Sequence, residues 1–207
     1  MDSIFATGQK SASGRSRAAR GSITKPRILG VSATLFQERG YDRTSLDDIA
    51  GKLKITKPSL YYHFRSKEDI LLECIRAGYL HFQDRLLRSD DPAASGRERT
   101  KILLRTYHDV LVHDLGLSLI VADDRVMSED TKKEYDKYRR AMNEELESRI
   151  KLGIQDGSII SPESRITAYA IFGMFNAMTL WRLRTDVADS SDILERMFSI
   201  IFEGIGG

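Results

Sequence analysis

All four prolines of this 207-residue chain sit where a helix can begin. Pro26, Pro58, Pro92 and Pro162 follow Thr24, Thr56, Asp91 and Ser161, polar residues able to cap a helix. Proline is tolerated in a first turn because the N–H it lacks has no intrahelical partner there, and it breaks helix or sheet interiors. Two further starts carry capping boxes, Thr44-x-x-Asp47 and Ser66-Lys-Glu-Asp69, each ahead of an apolar pair. Gly40 and Asp156-Gly157 mark helix ends. No sustained alternation of Val, Ile and Thr with polar residues supports a strand. The expected fold class is all-α, with helices at about 25–39, 45–53, 57–64, 67–87, 92–113, 115–122, 129–155, 162–183 and 191–203.

Charge is divided along the chain. Up to Lys67 there are 13 Lys or Arg against 5 Asp or Glu, a net of +8; from Glu68 onward there are 19 against 25, a net of −6. Such asymmetry is expected when one segment meets a polyanion, although Lys and Arg also simply solvate surfaces, so the motif inside the segment must decide. Residues 1–24 are small, polar and basic, with too little apolar area to offset ordering entropy. They are expected to form a disordered arm, either a tail that touches DNA or an untidy terminus. The longest uncharged run, 166–181, has 16 residues and includes Asn176, short of the ~18–20 apolar residues of a membrane span. No charged and then apolar leader opens the chain. Cys74 is the one cysteine, which excludes an internal disulfide and suits a reducing compartment. The expectation is a cytoplasmic protein without a membrane partner, its Cys74 an inert buried thiol rather than a redox switch.

The basic segment holds a specific pattern. Ile28, Val31, Leu35 and Phe36 fall at helical spacing and make one apolar face. Gly40 ends that helix and Tyr41 can fold back on it. A short capped helix follows, with Leu46, Ile49 and Ala50 inward, then a turn at Leu53-Lys-Ile-Thr, then Lys57-Pro-Ser-Leu-Tyr-Tyr-His-Phe. Two short helices joined by a tight turn, with a preceding helix closing the core, make a helix-turn-helix. The second helix is too brief to serve as packing alone, and Lys57, Ser59, Tyr62 and His63 on its outer side all form hydrogen bonds.

The block Gly40-Tyr-x-x-Thr-Ser-x-x-Asp-Ile-Ala, continued by Ile55-Thr-Lys-Pro-Ser-Leu-Tyr-Tyr-His-Phe-x-Ser-Lys-Glu-Asp-Ile-Leu, resembles the DNA-binding domain of the TetR family of bacterial regulators over about 26–72. Lys54 stands where the family often has Gly in the turn, and Pro58 where Gly is frequent. The resemblance implies a double-stranded DNA operator as partner and a role for each residue. Thr44 and Thr56, at helix N-caps, would hold phosphates. Lys57 and Ser59 would reach base edges, with Lys favouring guanine O6 or N7, and Pro58 would pack on a thymine methyl. Tyr61, Tyr62, His63 and Lys67 would clamp the backbone, whereas Leu60 and Phe64 belong to the core.

The resemblance also implies a two-fold homodimer and a C-terminal helical domain for ligand binding and dimerisation, so the division expected is 1–24, 25–72 and 73–207. The run from Ile166 to Trp181 is apolar nearly all round and must be covered on more than one side. Gly173 and Ala177, four apart, allow a close helix approach. A small-molecule inducer, an acyl-CoA or another amphipathic metabolite, would lie between the helices at 67–87 and 162–183. Candidate lining residues are Tyr107, His108, Arg140, Met142, Phe172, Asn176 and Trp181, with Phe175 and Arg139 beside them. A bound ligand would shift the population toward a dimer whose recognition helices no longer match the operator, with the long fourth helix as lever.

Two other readings stay open at this level. Asp109 and His113, four apart on one helical face, could begin a metal site with hydrolytic chemistry, but three or four ligands are needed and no partner cluster is visible. No Gly-rich phosphate loop or Gly-x-Ser-x-Gly elbow occurs, so neither an enzyme nor a cofactor or metal is expected. The other reading is a constitutive DNA-organising protein with many weak sites and no ligand.

Overall fold

The computed structural model describes residues 23–113, 127–161, 163–182 and 190–204, and every regular element among them is a helix. In chain order these are α1 (Lys25–Arg39), α2 (Leu46–Leu53), α3 (Lys57–Tyr61), α4 (Lys67–Ser89), α5 (Gly96–His113), α6 (Glu129–Gln155), α7 (Ser164–Arg182) and α8 (Ser190–Glu203). The helix expected at 115–122, residues 1–22 of the arm expected at 1–24, and the side chain of Trp181 lie outside the described residues.

Local chemistry explains most boundaries. Pro26 occupies the first turn of α1 behind Thr24, and Pro58 that of α3 behind Thr56, whose hydroxyl accepts from the Ser59 N–H at 3.4 Å. Ser66 caps α4 by accepting from the Asp69 N–H at 3.0 Å. Lys54 ends α2 in the left-handed region, φ 56° and ψ 42°, which costs a side-chain-bearing residue about 1 kcal/mol; the turn geometry requires it.

Four expected boundaries are corrected. The N-cap of α2 is Ser45, not Thr44: its hydroxyl accepts from the Asp48 N–H at 3.1 Å while the Asp48 carboxylate accepts from the Ser45 N–H at 2.8 Å. Thr44 is buried, and its hydroxyl reaches the carbonyls of Leu35 at 3.2 Å and Gly40 at 2.9 Å, so it is not available as a cap. The recognition segment is regular only to Tyr61; Tyr62 keeps helical angles and the chain then leaves through a turn. Helix α5 starts at Gly96 rather than 92, because Asp91 closes a turn onto Ala93 N–H at 3.0 Å instead. The α5 N-terminus is satisfied locally by the Ser95 hydroxyl, which accepts from the Glu98 N–H at 3.3 Å, and from afar by Asp156 on Gly96 N–H at 2.7 Å and Ser158 on Arg97 N–H at 3.0 Å. Helix α7 starts at Ser164, where the Glu163 carboxylate accepts from the N–H groups of Arg165 and Ile166 at 2.9 and 2.6 Å.

Packing divides the described residues into two apolar cores. Ile28, Leu35 and Phe36 of α1 meet Ile49 and Leu53 of α2, Leu60 of α3, Phe64, and Ile70, Leu71 and Ile75 of α4. The second core gathers Phe82 and Leu86 of α4 with Leu103, Leu104 and Tyr107 of α5, Leu146 and Ile150 of α6, Phe172 and Phe175 of α7, and Phe198 of α8. Helix α4 contributes to both, and so does α6, whose Tyr135 is buried in the first core and Met142 in the second. Cys74 is fully buried, its Sγ 3.6 Å from the Leu29 carbonyl oxygen, and burial pushes its thiol pKa far up. A thiol without thiolate character is unreactive.

Candidate functional site

The outer face of α2, the turn and α3 is built so that packing residues and free residues alternate. Leu60 and Phe64 point into the first core, while Lys57, Pro58, Tyr61 and Tyr62 stand exposed and Ser59 and His63 are half-buried. Tyr62 is 86% exposed, a phenol ring left in water with no packing role of its own, in edge contact with the His63 ring at 5.1 Å. Thr56 and Ser59 share a hydroxyl hydrogen bond of 2.8 Å at the α3 N-terminus. Lys57 does not float free: its Nζ donates to the Asp47 carboxylate at 2.8 Å, which holds its pKa above the usual lysine value.

Lys67 is anchored as the first residue of α4. Its ammonium donates to the Tyr41 carbonyl at 2.9 Å and lies 4.1 Å from the centre of the Tyr41 ring, leaving its other two N–H groups unassigned. Tyr41 is itself buried, and burial, with Glu68 and Asp42 nearby, pushes its phenol pKa up to about 12. It therefore acts as a neutral post for the lysine. Thr44 does not join this surface, since its side chain is internal and its N–H is bonded to the Tyr41 carbonyl at 3.2 Å. Within 25–67 there are nine Lys or Arg and four Asp or Glu, a net of +5 for the described part of the segment.

The second core contains cavities. One of about 280 Å³ lies between α5, α6 and α7 and brings together Tyr107, Met142, Phe172 and Asn176. The Tyr107 hydroxyl donates to Asn176 Oδ1 at 2.7 Å, and its ring meets that of Phe172 edge-on at 4.8 Å. Sequence reasoning missed Tyr135, Asn143 and Tyr169 here. The signal was their helical spacing, four from Arg139 in the α6 cases and three from Phe172 in the last, which becomes readable only once the facing helix is known. Arg139, rather than Arg140, lines this cavity; Arg140 lines an adjoining one of about 180 Å³ with Arg165 and Tyr169. His108 faces elsewhere, buried with neither ring nitrogen hydrogen-bonded and Nδ1 3.6 Å from Asp109. A larger cavity of about 390 Å³ lies across Met142, between α4, α5 and α6, with an Arg99–Asp90–Arg149 ion cluster on its wall. No group of three or more His, Cys, Asp or Glu able to hold a metal occurs among the described residues.

Helix α7 keeps one face uncovered. Ile166 is 70% exposed, and Ala170, Gly173 and Ala177 continue the same stripe. A Cβ added at Gly173 would meet nothing within 4 Å among the described residues, so none of them calls for glycine there.

An N-terminal helix-turn-helix joined through a long shared helix to a larger, cavity-bearing helical unit defines the class. The chain belongs to the tetR family of bacterial regulatory proteins, whose model matches residues 28–74, and residues 93–205 match the tetracyclin repressor-like C-terminal domain. Among curated relatives, the biofilm operon negative transcriptional regulator IcaR of Staphylococcus epidermidis is 45% identical over 67 residues, 32% of this chain and 36% of that protein. The IcaR of Staphylococcus aureus strain Newman is 50% identical over 52 residues, 25% of this chain and 28% of its own length. The chain thus spans about a third of the length of the curated relatives it matches. Among solved structures, AibR in complex with isovaleryl coenzyme A and operator DNA superposes with a TM-score of 0.74 at 23% identity, covering 86% of this chain and 97% of that one. FadR from Bacillus subtilis in complex with stearoyl-CoA gives 0.73 at 20%, covering 86% and 98%. At these identities the likeness is one of fold.

Proposed function

We propose that the chain is a dimeric transcriptional repressor that binds a palindromic operator in double-stranded DNA and is released by a small-molecule inducer. The observation that carries this reading is the outer row along α3 and the residues just after it, exposed Lys57, Pro58, Tyr61 and Tyr62 with half-buried Ser59 and His63, on a packed helix-turn-helix with Lys67 fixed at its edge. Side chains at the start of the recognition helix read bases in the major groove, and the tyrosines, histidine and Lys67 clamp phosphates, which set register without carrying sequence information. Thr56 serves as cap and phosphate donor; Thr44 serves as an internal strut.

The uncovered α7 stripe is the dimer surface, with α8 beside it. Small residues at Ala170, Gly173 and Ala177 let a partner helix approach closely, and a two-fold dimer sets the recognition helices about 34 Å apart to match successive major grooves. The inducer enters the cavity lined by Tyr107, Met142, Phe172 and Asn176. Its lining mixes aromatic rings with Arg139, Asn143 and Asn176, which suits an amphipathic molecule such as an acyl-CoA, a chemistry also named for AibR and FadR. The working division is a basic arm at 1–24, the reader at 25–72 and the ligand and dimer domain at 73–207. The protein acts in the cytoplasm and catalyses no reaction; no helix among the described residues is long and apolar enough to cross a membrane.

Genome-wide selection of DNA fragments bound by the purified protein tests this. A near-palindrome, released by at least one member of an acyl-CoA panel from C2 to C18, is the expected result. No preference for any duplex over random competitor at moderate salt would refute the reading. Many weak sites with no ligand effect would replace it with a constitutive DNA-organising role.

A further inference from the structure

We infer that Asp47 is a specificity-determining residue, which holds Lys57 in place and screens it so that the lysine serves base readout rather than general attraction to DNA. The inference rests on the operator-binding reading above.

Two neighbouring carboxylates divide the labour at the start of α2. Asp48 closes the α2 capping box on Ser45 and also lies 3.5 Å from Arg39. Asp47 is therefore not needed for the cap. Its carboxylate reaches across the turn to Lys57 Nζ at 2.8 Å, and both side chains are largely in solvent, at 70% and 44% exposure. No packing forces this contact; only mutual attraction between the first turn of α2 and the first residue of α3 makes it.

Two consequences follow for DNA. An ammonium has three N–H donors, and the Asp47 bond takes one, leaving two for guanine O6 and N7. The long lysine stem is thereby ordered before binding, which lowers the entropy lost when it meets a base edge. The second consequence is electrostatic. A free lysine releases counterions from any duplex and so strengthens all binding alike. With a carboxylate 2.8 Å away, the pair is close to neutral and Asp47 repels phosphates, so docking on the backbone alone gains little from Lys57. The pair is favoured only where base acceptors take up the remaining donors. Asp47 lowers affinity and raises discrimination.

The test uses the full chain and a randomised duplex library, with wild type, Asp47→Ala, Asp47→Glu, Lys57→Ala and the Asp47→Ala/Lys57→Ala double variant. Thermal melts first establish that the exposed substitutions leave the fold intact. For Asp47→Ala the expectation is about two- to five-fold tighter binding to random DNA per protomer, and a log–log salt slope steeper by about 0.9 per protomer. The ratio of selected-site to random-site affinity falls, and base preference broadens at one position in each half-site. Asp47→Glu restores the ratio at least in part. In the Lys57→Ala background, removing Asp47 changes neither the profile nor the ratio. An Asp47→Ala protein with an unchanged or higher selectivity ratio overturns the inference while leaving operator binding intact. A wild type that selects no sequence overturns the operator reading itself, and this inference with it.

Discussion

One substitution, glycine to alanine, has opposite expected outcomes at the junction of α5 and α6 and on the exposed side of α2. A Cβ built on Gly96 falls inside the contact distance of Gly153 N and Cα and lies 2.6 Å from Leu152 C, all backbone atoms of α6. Ordinary contacts of a methyl carbon begin near 3.5 Å, so the start of α5 must retreat by roughly 1 Å or more. Retreat pulls Gly96 N–H from Asp156 and Arg97 N–H from Ser158. Overpacking of this kind costs about 1–3 kcal/mol, and a clash with rigid backbone belongs at the upper end. For a chain of this size 1 kcal/mol shifts Tm by about 2–4 °C, so Gly96→Ala is expected to lower the melting point by about 6–12 °C. Gly51, exposed in α2, has nothing within 4 Å of its added Cβ. There the chain entropy of glycine dominates, and Gly51→Ala gains about 0.5–1 kcal/mol. Circular dichroism melts at one fixed protein concentration, which the proposed dimer requires, measure both. A Gly96→Ala protein melting within 2 °C of wild type would refute the helix approach described above.

Three further outcomes are expected. Lys67→Ala weakens binding to all duplexes alike and flattens the salt slope by about 0.9 for each phosphate no longer neutralised; a sequence-selective loss in competition assays would show that the role is misassigned. The Asp90 carboxyl is held below the usual carboxylate range first by its hydrogen bond from Arg99, against desolvation, and then by Arg149. A depressed folded pKa means that this stabilisation is complete above the unfolded value of about 3.9 and fades as pH falls through the lower folded value. Asp90→Asn should therefore lower the unfolding free energy measured in urea at pH 7, by about 1–2 kcal/mol given partial exposure, and lose less of its remaining stability than wild type on acidification toward pH 3. An equal deficit at both pH values would count against the cluster. Ala170→Arg puts a bulky cation on the uncovered α7 face; light scattering should find a folded monomer with weak operator binding, and an unchanged dimer would move the interface elsewhere.

Legibility followed the range of the interactions involved. Thr56, Ser66 and Pro58 announced their helices because a cap and a first-turn proline act within four residues. The choice between Thr44 and Ser45 could not be made that way, since either hydroxyl suits a cap. It was made by the carbonyls of Leu35 and Gly40, which claim Thr44 from another helix. The α5 start is shared between ranges: Ser95 caps the Glu98 N–H locally, while the Gly96 and Arg97 N–H groups are satisfied by residues about 60 positions later. In the C-terminal domain, residue types pointed to an aromatic, polar-tipped cavity, yet one helical step, about 100° of rotation, separates Arg139 from Arg140 and Tyr107 from His108. Which of each pair faces inward is decided by how α5, α6 and α7 meet.

By itself the chain's order of residues determined an all-helical fold, a basic helix-turn-helix near its N-terminus and the polar outer side of 57–63, because caps, turns and amphipathic spacing are local and repeat with the helix itself. Tertiary structure alone decided that Asp47 meets Lys57, that Tyr41 supports Lys67, and that α4 and α6 are shared between two cores. Those relations depend on the distance and rotation of one helix against another, which packing sets and no local pattern encodes.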